Sequence, residues 1–207
     1  MRALLIGVLL LAVVFPAQVT RATEPPDTEQ PTFDRHKFGV SIGGGYGRIA
    51  IGEGGVFGET YSTPDDFEVG MGFGFEYAYR MTPETSVEGF LSTWSGTLSG
   101  AEGGSRWNET WSASVLGGAM RYRPMGREFY LRAGFGAAFV LATLDDPESE
   151  DSAADYTDLG FGGVGSVGYD FAITGDLTAG PRLEAIALDV GGGVTAITVT
   201  AMFSFSW

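Results

Sequence analysis

A glycine pattern at 163–168 is the first candidate for chemistry. The residues GVGSVG fit the G-x-G-x-x-G spacing of dinucleotide sites. Such a site needs the glycines at a strand-to-helix turn, so that the N-terminus of the helix meets the pyrophosphate. Here Tyr169 and Asp170 follow, and no helical period begins. The pattern therefore predicts glycines inside a strand and no nucleotide cofactor.

A single histidine limits the enzyme chemistries that the chain can offer. Hydrolysis by an activated serine uses a histidine oriented by an acid, and a zinc site uses several His or Cys ligands. His36 is the only histidine, cysteine is absent, and His36 lies just before the first predicted strand. We therefore expect neither a catalytic nor a metal site, and no enzyme activity.

A cluster of carboxylates lies at 145–151, with the sequence DDPESED. Carboxylates bind Ca²⁺ or Mg²⁺ when their spacing supplies a coordination shell. The D-x-D-x-D-G spacing is missing here, so the pattern favours a solvated acidic loop over an ion site.

The elements that must position these residues are strands of alternating polarity. Within 66–80, odd positions from Phe67 to Tyr79 are apolar, whereas even positions from Glu68 to Ala78 carry glycine, glutamate or alanine. A period of two is the signature of a strand. It predicts eight strands, at 37–49, 66–80, 85–94, 107–123, 128–142, 156–171, 177–188 and 193–207.

The register of the fourth strand stays open at this point. Trp111, Ala113 and Val115 occupy one parity, while Leu116 and Met120 occupy the other. Both sets are apolar, which indicates a bulge or a misplaced boundary.

The last strand ends the chain on an aromatic residue. Phe203, Phe205 and Trp207 alternate with serines. In this it resembles the small outer-membrane β-barrels of Gram-negative bacteria, of the OmpA/OmpX type without the peptidoglycan-binding domain of longer relatives. In that family the closing strand ends on an aromatic, usually Phe. The resemblance implies that Phe203, Phe205 and Trp207 form an assembly signal for the barrel-assembly machinery, with periplasmic chaperones as further partners.

The predicted fold is an all-β, eight-stranded antiparallel up-and-down transmembrane β-barrel over 37–207. Long polar segments follow strands one, three and five, and tight turns follow strands two, four and six. That alternation is typical of outer-membrane barrels, with the short turns and both termini on the periplasmic side. A soluble β-sandwich is the alternative, but it leaves the apolar stripe of the second strand and the aromatic terminus unexplained.

The first residues have the parts of an export signal. Arg2 precedes an apolar run too short to span a bilayer, which predicts a signal peptide at 1–22, cleaved after Ala22 or alternatively after Ala17. A polar periplasmic leader is predicted at 23–36. The expected location is the cell outer membrane. The net charge of −14 argues against nucleic acid.

Charged residues within the strands must point into the barrel, since an Arg or Lys facing lipid costs about 2 to 4 kcal/mol. Glu76, Arg132, Arg182 and Glu184 are therefore predicted to form a luminal charge network. An eight-stranded interior is just wide enough for side chains to fill, so the network is expected to close the lumen. Aromatics near the presumed strand ends predict interfacial girdles: Tyr46, Tyr79, Trp94, Trp107, Trp111, Tyr169 and Trp207.

The expected function is that of a non-catalytic outer-membrane barrel with a structural or surface-interaction role. Outer-membrane lipid and lipopolysaccharide are its expected partners, together with host or environmental molecules at the outer loops. A small-solute channel is the alternative, and a lipid A-modifying enzyme a third possibility. The family's deacylase motif, a His two residues before a Ser, is absent, and His36 is placed at the periplasmic end.

Overall fold

The computed structural model describes residues 35–50, 68–102, 105–124, 128–145 and 153–207. No helix within these ranges is long and apolar enough to cross a membrane. A short 3-10 turn, Gly191–Gly193, joins the last two strands. The strands are β1 (His36–Ala50), β2 (Glu68–Arg80), β3 (Thr85–Glu102), β4 (Ser105–Tyr122), β5 (Phe129–Asp145), β6 (Ala153–Tyr169), β7 (Phe171–Thr174), β8 (Leu177–Val190) and β9 (Thr195–Ser206).

The sheet closes on itself. Neighbouring strands pair antiparallel, β8 pairs with β6 and β9, and β9 pairs with β1. A line of register partners that leaves β1 at Phe38 returns to it at Arg48, ten residues further on. In an eight-stranded barrel such an offset tilts the strands by roughly 40°. Closure leaves no unpaired edge.

The short β7 continues β6 within one barrel strand. Gly168 of β6 pairs with Arg182, and Phe171 of β7 pairs with Ala179, so both lie in one register against β8. The ladder is interrupted between them at Asp170, whose N–H donates instead to the carbonyl of Glu128 at 2.9 Å. Counted in this way the barrel has eight strands, which confirms the predicted fold class and strand number.

The outer wall of the barrel is apolar. In β2 the even positions are buried or half-buried, and the odd positions from Val69 to Tyr77 are exposed. Phe135 and Phe161, at 79% and 81% exposure, show the same on β5 and β6. A soluble protein rarely exposes so continuous an apolar surface. The wall is suited to lipid.

The third and fourth strands are longer than the sequence predicted. β3 continues to Glu102 and β4 begins at Ser105, so most of the loop expected at 95–106 is paired strand. Outward hydroxyls bond in pairs across this hairpin. The pairs are Thr93 with Ser114 at 3.0 Å, Ser95 with Ser112 at 2.9 Å and Thr97 with Thr110 at 3.3 Å. The loop prediction was wrong because polar residues were taken as the sign of a loop, whereas here they lie on the outer face of paired strands.

The fourth strand has no bulge. Its register with β3 and β5 is continuous over its whole length. Trp111, Ala113 and Val115 are buried inside the barrel, whereas Leu116 and Met120 are exposed on the wall. The bulge expectation was wrong because both faces of β4 are apolar for different reasons. One face is part of the outer wall of the barrel, and the other fills the lumen.

The closed ladder generates a first prediction. The folded protein should resist SDS at room temperature and run differently on a gel from a boiled sample, because unfolding has no free edge at which to begin. The measurement is mobility with and without heating. Identical mobilities would contradict a closed barrel.

Candidate functional site

The lumen holds a buried cluster of charges near the end of the barrel that carries the short turns. We call it the luminal charge network, and every member is at most 9% exposed. It consists of Glu76 on β2, Glu88 on β3, Arg121 and Arg123 on or just after β4, Arg132 on β5, Asp170 between β6 and β7, and Arg182 and Glu184 on β8.

All four residues predicted for this network lie together. Arg182 donates to Glu76 through Nη1 at 2.8 Å and Nη2 at 2.7 Å. Its Nη2 also lies 3.2 Å from Glu184. Arg132 donates to Glu184 through Nη1 at 2.8 Å and to Glu88 through Nε at 2.8 Å. The two arginines thus link four strands from within, β2, β3, β5 and β8, with Glu88 as a partner that was not predicted.

Arg121 and Arg123 belong to the network, although the sequence analysis did not include them. Arg121 lies 2.5 Å from Glu76, 2.6 Å from Glu88 and 3.5 Å from Asp170. Arg123 donates to Asp170 at 3.0 Å. They were missed because the register of β4 was left open. Placing its charges inward, as was done for the other strands, would have fixed that register.

Aromatic rings border the guanidinium groups. The guanidinium carbon of Arg121 lies 4.3 Å from the ring centre of Tyr130. That of Arg132 lies 4.5 Å from the ring centre of Phe90. Cation–π contacts of this length are favourable, more so when the cation is desolvated. The rings therefore give the arginines a partner where no further carboxylate is available.

Charge balance makes this burial tolerable. The network contains four arginines and four carboxylates, joined by eight ion pairs. Desolvating a charge costs several kcal/mol, which is recovered only with good geometry and several partners. Sharing each carboxylate oxygen pair between arginines meets both conditions. The arrangement can cross-link strands, and it leaves little room for a solute.

The half of the lumen toward the long connections is apolar instead. Trp94, with 2% exposure, points inward from β3. A Cβ added to Gly47, Gly70 or Gly96 would come within 2.5–2.6 Å of its ring, so these glycines make room for the indole. Other buried residues of this core are Ile49, Trp111, Val115, Val140, Ile186, Leu188 and Val190.

Two predicted girdle residues are therefore misplaced. Trp94 and Trp111 lie inside the lumen rather than at the interface. The error follows from ending the third strand at Trp94, which in fact lies in mid-strand at an inward position. Trp111 Nε1 donates to the buried Glu109 at 3.1 Å. Tyr46, Tyr169 and Trp207 are exposed on the outer wall as expected.

The other candidate residues are dispersed. His36 is exposed at the short-turn end, where its Nδ1 lies 2.6 Å from the hydroxyl of Tyr77. Gly163–Gly168 lie within β6, paired to β5, with no helix after them. The acidic residues at 146–151 lie outside the described residues, as do the predicted signal peptide and nearly all of the leader. β1 begins at His36, one residue earlier than expected.

The residues of the proposed assembly signal lie on the outer wall of β9. Phe203, Phe205 and Trp207 are 40%, 39% and 50% exposed. The rings of Phe203 and Phe205 are 5.2 Å apart. Trp207 and Phe38 exchange two backbone hydrogen bonds of 2.9 Å, which join the last strand to the first.

Comparisons with known proteins agree with this architecture. Residues 7–205 match the family described as outer membrane protein beta-barrel domain. No curated protein matches the chain.

The solved structures to which the chain is similar include three bacterial proteins. Ail, the attachment invasion locus protein of Yersinia pestis, is 13% identical with a TM-score of 0.54, covering 84% of this chain and 99% of that one. Neisserial surface protein A is 12% identical with a TM-score of 0.47, covering 81% and 95%. The outer membrane protease OmpT of Escherichia coli is 10% identical with a TM-score of 0.45, covering 87% and 99%.

The charge network generates a second prediction. Arg132→Met should destabilise the barrel by about 3 to 5 kcal/mol, because Glu88 and Glu184 each lose a buried partner. The measurement is urea unfolding of the folded protein in detergent micelles. Arg48→Met, which changes an exposed cation at the long-connection end of β1, should cost about 1 kcal/mol or less.

A double variant controls for lost packing. Arg132→Met combined with Glu184→Leu removes one charge of each sign and should be less destabilised than the single variant. Equal or greater destabilisation of the double variant would show that packing, not charge balance, decides the effect.

Proposed function

Because the chain belongs to the outer membrane protein beta-barrel domain family, we propose that it is a non-catalytic barrel with a closed lumen, acting through its outer rim. In such barrels the short turns face the periplasm and the longer loops face outward. The charge network then lies in the periplasmic half of the lumen, and the apolar core in the outer half.

The filling of the lumen carries this proposal. A solute would have to pass both the ion pairs around Arg121 and the apolar side chains around Trp94. An eight-stranded barrel has interior space for side chains and little more. These observations support a structural or surface role over a small-solute channel.

The position of His36 argues against hydrolysis at the outer rim. It lies at the opposite, short-turn end and bonds to Tyr77 on the outer wall. A serine hydrolase of lipid A would need its histidine and serine together near the outer leaflet. The described residues offer no such pair, which supports a role without catalysis.

The outer end of the β3–β4 hairpin is suited to contacts outside the membrane. Its strands have 18 residues each, whereas about 9 to 11 suffice to cross a bilayer. The surplus forms a ribbon beyond the wall, with the hydroxyl pairs at its base. We propose that this ribbon and its neighbouring loops meet lipopolysaccharide or molecules at the cell surface.

Charge distinguishes this rim from one built for polyanions. The Ail structure holds the heparin analogue sucrose octasulfate. The present chain concentrates acids at 145–151 and has a net charge of −14, so it would repel such a ligand. A cationic partner, or divalent ions that bridge lipopolysaccharide phosphates, suits it better.

Conductance tests the closed lumen. The wild-type protein in planar bilayers should show no steady open channel. Arg182→Ala should lower stability and still not conduct steadily, because the apolar core remains in place. Steady openings of the wild-type protein would favour the channel function. Steady openings of Arg182→Ala but not of the wild type would show that the charge network alone closes the lumen.

Assembly tests the terminal aromatic. Trp207→Asp should reduce the amount of protein in the outer membrane severalfold, because the barrel-assembly machinery is proposed to recognise Phe203, Phe205 and Trp207 before the first and last strands pair. Trp207→Phe is the matched control and should assemble normally. Quantify folded protein in outer-membrane fractions; normal levels of the Asp variant would exclude this role.

A further inference from the structure

The end of the lumen that carries the short turns, called here the mouth, has more cationic side chains than carboxylates that pair with them. Lys37 and Arg80 face inward there beside Arg123, and Arg35 precedes β1. Lys37 experiences the like charges of Arg80 and Arg123 and the opposite charges of Asp170 and Asp176. Among the described residues no carboxylate forms an ion pair with Arg35, Lys37 or Arg80, in contrast to the arginines of the charge network.

The hydrogen bonds of these cations leave donors available. Lys37 Nζ donates to the carbonyl of Asp176 at 3.3 Å. Arg35 Nη1 donates to the hydroxyl of Tyr79 at 3.4 Å. Glu76, the carboxylate that lines the mouth, is already shared by Arg121 and Arg182. Asp170 is shared by Arg121 and Arg123. These two acids are thus engaged by arginines of the network, and Asp176 attracts Lys37 without forming an ion pair with it within the described ranges. The mouth therefore keeps more cations than acids to pair with them.

A buried hydroxyl borders the recess at this mouth of the lumen. Ser86 is 2% exposed on β3, and its Oγ has no hydrogen-bond partner within the described part of the chain. It lines the recess together with Lys37, Arg80, Arg121 and Arg123. An unpaired buried hydroxyl costs free energy unless a ligand or solvent bonds to it. A site with three or more cations and a free hydroxyl has the donors of an oxyanion site.

We propose that this mouth binds a phosphate group from the periplasmic side. Guanidinium groups bind phosphate oxygens in pairs, and an ammonium adds a point charge. Arg80 and Lys37 would supply the principal contacts and Ser86 a hydroxyl donor. The phosphate would also relieve the repulsion among the three inward cations. Its source is either a soluble phosphate compound or a phospholipid headgroup of the inner leaflet.

Direct binding tests the site. The folded protein in a maltoside detergent, which carries no phosphate, is titrated with sodium phosphate at constant ionic strength by calorimetry. Arg80→Gln and Lys37→Gln should each weaken binding about tenfold, as expected for loss of a charge-assisted hydrogen bond. Ser86→Ala should weaken it severalfold. Arg80→Lys keeps the charge but loses the paired contact, so its affinity should lie between those of the wild type and Arg80→Gln. Gel mobility verifies that each variant is folded.

A control and a second arm decide the outcome. Arg48→Gln removes a cation at the opposite end and should bind as wild type does; equal weakening in this control would reduce the effect to net charge. Native mass spectrometry of protein taken from phosphatidylglycerol vesicles reports retained lipid. If the wild-type protein retains lipid and Arg80→Gln does not, the phosphate comes from a lipid headgroup. If the wild type binds phosphate but retains no lipid, the source is a soluble compound. If the wild-type protein shows neither phosphate binding nor lipid retention, the proposal is overturned.

Discussion

The narrow interior of the barrel is the constraint on which the remaining structure depends. Eight strands with a ten-residue offset enclose a space that side chains must fill. Each inward position is therefore matched to those across it. Gly47, Gly70 and Gly96 are small where Trp94 is large, and Gly117 and Gly136 pair where the strands approach closely.

The side chains that fill the lumen form two layers, which are stabilised by different interactions. Ion pairs stabilise the layer near the short turns because each carboxylate is shared by two arginines, so loss of one arginine affects several strands together. The other layer depends mainly on burial of apolar side chains such as Trp111 and Val140, and its buried carboxylate, Glu109, accepts a hydrogen bond from Trp111. Arg132 against Phe90 marks the boundary between the two layers.

The closed lumen leaves the two ends and the wall as the surfaces on which the proposed function depends. At the end opposite the short turns, the β3–β4 hairpin consists of two paired strands of 18 residues each. At the periplasmic end Lys37 and Arg80 present cations that the internal acids leave uncompensated. The acids of 145–151 belong to the opposite connection.

The sequence alone determined the strand class, the strand number and the inward direction of Glu76, Arg132, Arg182 and Glu184. The alternation of apolar and polar residues and the cost of a charge in lipid are local signals. Only the tertiary structure decided the register of β4, and with it the places of Arg121 and Trp111. Both faces of that strand are apolar near Val115, so period two cannot say which one is inside. The answer depends on what the facing strands leave empty, and that is settled only when the barrel closes.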